Sequence, residues 1–370
     1  MKIIKAQLLK IALPMKRDLA TAFGVIRNKE TLIIILHSDD GLVGYGECAS
    51  TPAPWYTHES VDICFFVLQK YLVPQILHKP IQNPHEFVAL YNNIVDNQAA
   101  KHGLESAFWD IYGQKQNKSL SQLFGGTRLQ VSCGISIGLH KTIDETLDVI
   151  AREQARGFQR IKIKIEPQQD LKLLKAIREK FGDMTLSVDA NASYTLEHIN
   201  KLLDLDEFKL EMIEQPLFND DLLEHSYLQK LMKTPLCLDE SIKKILHAKQ
   251  AIRLGSCKII NIKPGRVGGM IAALLIHDLA FTHNIGLWVG GMLETGIGMA
   301  YNLALASLPG FTYPGDIFPT DAFFHDDIVV SPYTMDAQGF IAISKKVGLG
   351  YEVDEEKLSK YTKKTWSTHG

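Results

Sequence analysis

Five charged residues recur at nearly equal intervals along the middle of this chain, each at or near the end of a short apolar run. They are Lys164, Asp189, Glu214, Asp239 and Lys263, with intervals of 25, 25, 25 and 24 residues. Each interval suits one β-strand, one helix and their loops. Because a constant offset gives the same position on successive parallel strands, we expect the five side chains at one rim of a barrel.

The acidic part of this set consists of Asp189, Glu214 and Asp239. Carboxylates held close together repel one another and need a cation. Oxygen ligands without His or Cys favour Mg²⁺ or Mn²⁺ over zinc. The sequence therefore predicts a site for a hard divalent ion. Two other interpretations stay open: an ion-pair network with the lysines, and carboxylates that cap the helices after each strand.

The stretch "RIKIKIEP" places lysines in what reads as a β-strand. Side chains alternate between the two faces of a strand, so Lys162 and Lys164 share one face. The isoleucines at 161, 163 and 165 share the other face, which suits a surface covered by helices. We therefore expect a catalytic cavity on the lysine side.

Lys164 and Lys263 are expected on opposite sides of the ring, since they belong to its second and sixth strands. A base on one face of a substrate and a cation on the other suit proton removal beside a carboxylate. Lys162 lowers the pKa of Lys164 through its like charge, whereas the carboxylates raise it, so the sequence does not fix the net shift.

Residues 129–324 alternate strand-like and helical patterns and are predicted to form a (β/α)₈ barrel. A doubly wound open sheet is the competing fold, but no GxGxxG motif follows its first strand. Thr142 and Glu145 form a capping box at the start of one helix. The strand candidates are "VSCGISIG", "RIKIKI", "TLSVDA", "LEMIEQP", "PLCLDE", "CKIINIKP", "GLWVGG" and "FTYPGD".

Residues 1–128 are predicted to form an α+β domain. Two strand-like runs flank a turn at Asp39, Asp40 and Gly41, which is a hairpin signal. Apolar spacing predicts helices near 59–73, 84–96 and 99–116. The tail, 325–370, is expected to pack back on this domain.

Composition excludes several classes of partner. The chain has 40 basic and 42 acidic residues, a formal charge of −2, and no basic block, so nucleic acid is not an expected partner. No run of 18 uncharged apolar residues and no signal-peptide core are present, so no membrane segment is expected. Five cysteines without a CxxC motif indicate a reduced, cytoplasmic protein in which each cysteine is a core residue.

The pattern of KxK on strand two, Asp, Glu and Asp ending strands three to five, and Lys on strand six resembles the muconate-lactonizing subgroup of the enolase superfamily. The likeness covers nearly the whole chain and implies an enolase-like, modified barrel capped by both termini. More closely, the chain resembles the branch of o-succinylbenzoate synthases and N-succinylamino acid racemases. The matching segments are "RIKIKIEP", "VDAN", "IEQPL", "LDESI", "NIKPGRVGG", "GGMLETGIGMAYNLALASLPGF" and "PGD".

This resemblance implies a metal-dependent lyase of menaquinone biosynthesis that dehydrates 2-succinyl-6-hydroxy-2,4-cyclohexadiene-1-carboxylate to o-succinylbenzoate. Lys164 would remove the α-proton and return it to the departing hydroxyl, while Lys263 would stabilise the enediolate. The metal, Mg²⁺ or Mn²⁺, would bind the three carboxylates. Racemization of N-succinylamino acids by the same two lysines is the alternative, alone or as a second activity. The family also implies a homo-oligomer.

Substrate contacts are expected from the capping loops and the late strands. Arg266, in "KPGR", resembles an arginine of the racemase-capable branch and is expected to tune Lys263; an exposed loop or helix-start residue is the other interpretation. Asn191 either shares in the site or shapes its loop. For the remaining candidates ordinary packing is an equally good interpretation: Phe23, Ser50, Ser136, Gly291, Met292 and Leu293.

Other functions fit less of the pattern. Dipeptide epimerases carry a DxD pair near strand eight, which "FTYPGDIFPTD" lacks, and mandelate-racemase-like enzymes use a His–Asp pair where this chain has Lys263. Muconate cycloisomerization stays open, because it shares the lysines. A phosphate-binding barrel would explain the glycine-rich loops "KPGRVGG" and "GGMLETG" but not three acidic strand ends. A non-catalytic barrel leaves the paired lysines unexplained.

Overall fold

The computed structural model describes residues 1–21, 24–168 and 170–368. In those ranges no helix is both long and apolar enough to cross a membrane. All five cysteines are buried free thiols, in line with their expected place in the core.

The strands of the described chain are β1 (Ile3–Thr21), β2 (Gly24–Ser38), β3 (Val43–Cys48), β4 (Gln130–Ser132), β5 (Gly134–Ile137), β6 (Arg160–Lys164), β7 (Leu186–Asp189), β8 (Ile213–Glu214), β9 (Leu236–Leu238), β10 (Ile259–Ile262), β11 (Gly286–Val289), β12 (Phe340–Ala342) and β13 (Thr362–Ser367).

Its α-helices are α1 (Val61–Val67), α2 (Val73–Ile76), α3 (Pro84–Ala89), α4 (Gln98–Gln116), α5 (Leu120–Phe124), α6 (Ile143–Ala155), α7 (Asp170–Phe181), α8 (Ile199–Asp204), α9 (Leu223–Leu231), α10 (Ile245–Leu254), α11 (Pro264–Val267), α12 (Met270–Thr282), α13 (Gly296–Ala306) and α14 (Glu355–Tyr361). A π-helical segment, Leu68–Leu72, joins α1 to α2. Three-residue and four-residue 3₁₀ segments lie at Leu196–His198, Leu205–Phe208 and Thr320–Ala322.

An antiparallel sheet in the order β13-β1-β2-β3 forms the cap, together with α1 to α4. The predicted hairpin is confirmed, since β2 pairs with β3 and the Ser38 N–H donates to the Leu42 carbonyl at 2.9 Å. The chain's last strand pairs with β1, so the tail returns to the N-terminal unit as expected. The tail also pairs β12 with β4 beside the barrel.

The second unit is built on a parallel sheet in the order β11-β10-β9-β8-β7-β6-β5, with helices between successive strands. Thr142 and Glu145 form the predicted capping box at the start of α6. The predicted barrel fold is thus confirmed in its modified form. The domain boundaries at 128 and 324 stay a prediction.

The eighth strand candidate, "FTYPGD", is not a regular strand. This segment makes isolated bridges only, from Phe311 to Leu287 and from Gly315 to Cys133. The Gly315 carbonyl accepts from the Gly134 N–H at 2.7 Å, which joins this segment to β5. Pro314 lacks an N–H group and interrupts any continuous ladder, so closure of the barrel depends on a few contacts.

Two other expected elements are shorter than predicted. The helix expected over 84–96 ends at Ala89, and Asp96 and Asn97 adopt left-handed φ angles of 51° and 56° before α4 begins. Asn and Asp side chains compete for backbone hydrogen bonds, which favours such breaks. "VSCGISIG" is divided into β4 and β5, because β4 turns away to pair with β12.

Candidate active site

Strand β6 sorts its side chains as its alternation predicted. The isoleucines at 161, 163 and 165 are buried in the main hydrophobic core. Lys162 and Lys164 line a cavity on the opposite face. Parallel pairing sets Lys164 beside Asp189, and Asp189 beside Glu214, so the strand ends come into register at one rim.

Lys164 lies among polar groups from the next strand and its loop. Its Nζ donates to Asp189 Oδ2 at 2.7 Å and also contacts Asn191 Oδ1. The Asn191 amide in turn donates to Glu240 Oε1 at 2.9 Å. Burial raises the pKa of Asp189, but Lys164 and Lys162 together hold it well below its usual range. Asp189 is therefore a carboxylate.

Lys162 is buried among three carboxylates. Its Nζ lies 2.7 Å from Glu214 Oε2, 2.9 Å from Asp316 Oδ2 and 3.5 Å from Asp189 Oδ2. Burial alone would lower the pKa of Lys162, but these acids raise it above its ordinary value. The Lys162 ammonium also lies 4.6 Å from the centre of the Trp288 ring. Lys162 is thus a fixed cation rather than a base.

Asp316 connects Lys162 with Ser136 and Arg160. One of its oxygens accepts from Ser136 Oγ at 2.9 Å, and the other lies 2.6 Å from Arg160, which is fully buried. Burial raises the pKa of Asp316, but Lys162 and Arg160 bring it down to about 2. The "PGD" segment therefore contributes a charged group to the site although it forms no regular strand.

Lys263 lies in a second polar group. Its Nζ donates to Asp239 Oδ2 at 2.9 Å and to Tyr56 Oη at 3.0 Å. Burial would lower the pKa of Lys263, but Tyr56, Glu214 and other acids keep it above its ordinary value. Arg266 contacts the second oxygen of Asp239 and is only 3% exposed, so its interpretation as an exposed loop residue is wrong. It lies instead in the short helix α11, in agreement with a helix-start position.

The three predicted metal ligands are nearly fully buried and come from three adjacent strand ends. Among the described residues, no three acidic, His or Cys side chains are arranged to share a metal ion. Each carboxylate instead faces a lysine. The donor set nevertheless fits a hard cation, because it offers only oxygens. In addition, the buried Glu240 Oε2 has no hydrogen-bond partner in the described chain. The ligand assignment stays a prediction.

Most of the predicted side chains surround one cavity. Three predicted residues do not line the cavity but contact residues that do or one another: Glu214 contacts Lys162, Asp239 contacts Lys263, and Arg266 contacts Asp239. Phe23 lies outside the described residues. The predicted residues that line the cavity are Lys162, Lys164, Lys263, Asp189, Asn191, Ser50, Ser136, Gly291, Met292 and Leu293.

Sequence reasoning missed several residues of this site. Asn261 lies two positions before Lys263 on the same face of its strand, so alternation alone could have identified it. Asp316 lies in a quoted motif, but its charge was given no role. Lys29 and Tyr56 come from the cap, and no periodicity connects them to the barrel. The contact between Tyr56 and Lys263 was not foreseen.

Comparison with known proteins gives consistent results. The model described as Mandelate racemase / muconate lactonizing enzyme, N-terminal domain matches residues 3–125, and Enolase C-terminal domain-like matches residues 146–357. The o-succinylbenzoate synthase of Bacillus subtilis is 44% identical over all of both chains. An N-succinylamino acid racemase of Thermus thermophilus is 40% identical over 95% of this chain and 94% of its own.

A solved structure of an enolase-superfamily member from Listeria innocua superposes with a TM-score of 0.96. It is 37% identical in sequence, and the match covers 99% of each chain. The likeness therefore includes both the barrel and the cap.

Proposed function

The chain belongs to the mandelate racemase and muconate-lactonizing family of the enolase superfamily, and from this premise we propose that it is an o-succinylbenzoate synthase. The reaction is loss of water from 2-succinyl-6-hydroxy-2,4-cyclohexadiene-1-carboxylate. The observation that carries the proposal is that Lys164 and Lys263 line one cavity, each hydrogen-bonded to a carboxylate at an adjacent strand end.

Lys164 acts as base and then as acid. Its neutral amine takes the proton from the carbon that bears the carboxylate, and the electron pair moves into the carboxylate as an enediolate. The ammonium then gives that proton to the hydroxyl on the neighbouring carbon. The carbon–oxygen bond breaks, water leaves and the ring becomes aromatic. Asp189 and Asn191 hold the amine in place for both transfers.

Lys263 serves as the fixed cation for the enediolate. Its amine is buried and is held by Asp239 and Tyr56, so the positive charge needs no reorganisation when the negative charge develops. Arg266 and Lys263 share Asp239 as a partner, and Arg266 therefore sets the position of that carboxylate.

Asp189, Glu214 and Asp239 would hold the metal ion, with Mg²⁺ favoured and Mn²⁺ acceptable because all donors are oxygens. When bound, the ion would supply positive charge that stabilises the negative charge developing on the substrate carboxylate. Of these three carboxylates, Asp189 is held ionised by Lys164 and Lys162.

N-succinylamino acid racemization is the second candidate. The observation that favours it is the presence of two lysines on one cavity, since one can remove a proton that the other replaces. A relative of this activity is 40% identical over nearly the whole chain. Both activities would use the same lysines and carboxylates, so one cavity would serve either substrate.

The test follows the ultraviolet absorbance of the cyclohexadiene substrate after addition of purified protein with Mg²⁺, with an EDTA-treated sample beside it. We expect rapid loss of absorbance only with metal. Lys164→Ala and Lys263→Ala should each lower the rate at least about a hundredfold. This is the usual contribution of a positioned acid–base group for Lys164 and of a fixed charge that stabilises the transition state for Lys263. Lys115→Ala is the control, because Lys115 pairs with Asp40 on the cap surface.

Undiminished activity in Lys263→Ala would contradict the two-lysine mechanism. If the folded, metal-treated protein leaves the cyclohexadiene unchanged, the same variants should be assayed for deuterium exchange at the α-carbon of N-succinylamino acids. Exchange that needs both lysines would establish the racemase instead.

A further inference from the structure

The cavity is lined by four lysines, and one of them, Lys29, comes from the cap. Lys29 lies on β2, where it pairs with Leu13 of β1. It is 3% exposed, and its ammonium donates to the Met292 carbonyl at 2.7 Å. The partner lies 263 residues further along the chain, in the loop that follows β11. This contact therefore joins the cap to the wall of the active site.

The loop that receives this bond has an unusual backbone. Leu293 has a φ angle of 58°, in the left-handed region that costs free energy for a residue with a Cβ atom. Such a conformation persists only where neighbouring groups hold it. Lys29 holds the carbonyl of the peptide bond immediately before Leu293. Glu294 Oε2 accepts from the Met292 N–H at 2.9 Å, so both polar groups of Met292 are fixed.

The following residues are fixed by the cap as well. Glu47, on β3, accepts from the Thr295 N–H at 2.9 Å and from the Gly298 N–H at 2.9 Å, at the start of α13. Residues of the cap therefore form hydrogen bonds with this loop on both sides of Leu293, at Met292 and at Thr295. Met292 and Leu293 line the cavity between these two points.

Lys29 is not needed there for packing alone. Burial lowers the pKa of Lys29, while Glu47 and Glu294 act in the opposite direction. Keeping a cation in a buried place is unfavourable unless it makes a specific bond. A methionine would fill the same volume without that difficulty.

We propose that Lys29 is a positioning residue that fixes the Met292–Leu293 wall of the cavity. Through that wall it sets the affinity for the substrate. The inference rests on the proposed function for its substrate, but not for the contact itself. Because Met292 and Leu293 offer no acid or base, we expect a displaced wall to change binding rather than the chemical step.

The test compares Lys29→Met with Lys29→Arg, which keeps N–H donors, and with Lys115→Met as a surface control. Hydrogen exchange of the segment 290–297 measures the contact without any substrate. In Lys29→Met we expect exchange there to rise about tenfold or more, the effect of losing one charge-assisted hydrogen bond. Lys29→Arg and Lys115→Met should match the wild type. Lys29→Gln replaces the methionine variant if the latter does not fold.

Steady-state kinetics supply the second readout. For the cyclohexadiene or the N-succinylamino acid, KM should rise about tenfold in Lys29→Met while kcat changes less than about threefold. Unchanged exchange in 290–297, or an unchanged KM, would overturn the proposal. The wild type could turn over neither substrate while hydrogen exchange in 290–297 still differs between the wild type and Lys29→Met. That result would reject the proposed function and leave the Lys29 contact established.

Discussion

The amide of Asn261 connects two of the predicted metal ligands. Its Nδ2 donates to Glu214 Oε1 and to Asp239 Oδ1, both at 2.9 Å, and the residue is fully buried. An amide nitrogen with two hydrogens can serve both carboxylates at once, so it fixes their spacing without adding charge. Asn261 thus orients the acidic residues through its amide, as Asn191 orients Lys164.

Replacement of Asn261 by leucine should weaken the metal site. Both carboxylates would lose an orienting donor, and loss of such partners lowers metal affinity about ten- to a hundredfold. Thermal unfolding with increasing Mg²⁺ measures this, because a bound ion stabilises the folded state by an amount that grows with the logarithm of its concentration relative to Kd. Asn302→Leu is the matched control, since Asn302 is also buried but lies on α13. Equal Mg²⁺ dependence in both variants would contradict this role.

At the scale of elements, the cap depends on the close approach of α4 to β3. Gly44 and Gly46 lie on one face of β3, two residues apart. A Cβ atom on Gly46 would stand 2.2 Å from the Gly103 carbonyl oxygen and 2.5 Å from the Ala107 nitrogen. Both obstacles are helix backbone, which cannot turn aside as a side chain can. The sheet and the helix are therefore in contact only because these positions carry no side chain.

Gly46→Ala should accordingly destabilise the protein. The methyl group forces α4 away from the sheet, and overpacking of this kind costs up to about 3 kcal/mol. Urea unfolding followed by circular dichroism gives the change in unfolding free energy. Gly265→Ala serves as control, because its new Cβ would meet no atom closer than 3.6 Å. Wild-type stability in Gly46→Ala would show that the helix shifts at no cost.

The sequence could predict the features that recur at a regular interval along the chain, but not the contacts that occur only once. The barrel, the rim of charged residues and the lysine face of β6 all follow from a period, either about one strand-and-helix unit or two residues. Asn261 lies on the two-residue period that ends at Lys263, but it was missed because it carries no charge. The segment with Pro314 was expected to be a strand by position, although proline opposes a regular ladder.

Residues from the cap could not be predicted by such means. Tyr56 meets Lys263 across 207 residues of sequence. Its place depends on how the loop after β3 lies over the barrel, which is set by packing between the two units. For Phe23 the expectation falls outside the described residues and stays a prediction.

At the scale of the whole molecule, Glu47 is a buried polar link between cap and barrel. It is 1% exposed and accepts hydrogen bonds from Thr31 within the cap and from Thr295 and Gly298 in the barrel. Burial raises the pKa of Glu47 from 4.5 to about 7, against the opposite effects of Lys29 and Thr295. The link between the two units is therefore sensitive to pH near neutrality.

The sign of this dependence follows from the proton balance. Between pH 4.5 and about 7 the folded protein keeps a proton on Glu47 that the unfolded chain has lost. The contribution of Glu47 to the free energy of unfolding is therefore highest below this window and falls as the pH rises through it. Burial lowers the pKa of His102 to about 4, so His102 contributes a slope of the opposite sign. Glu105, whose pKa burial also raises to about 7, adds a slope of the same sign as that of Glu47.

Urea unfolding at several pH values across this window measures the free energy of unfolding. This free energy should fall less with rising pH in Glu47→Gln than in the wild type. Glu356→Gln, on the exposed side of α14, should show the same pH dependence as the wild type. An equal decline in Glu47→Gln and the wild type would mean that Glu47 is ionised throughout, held by the start of α13.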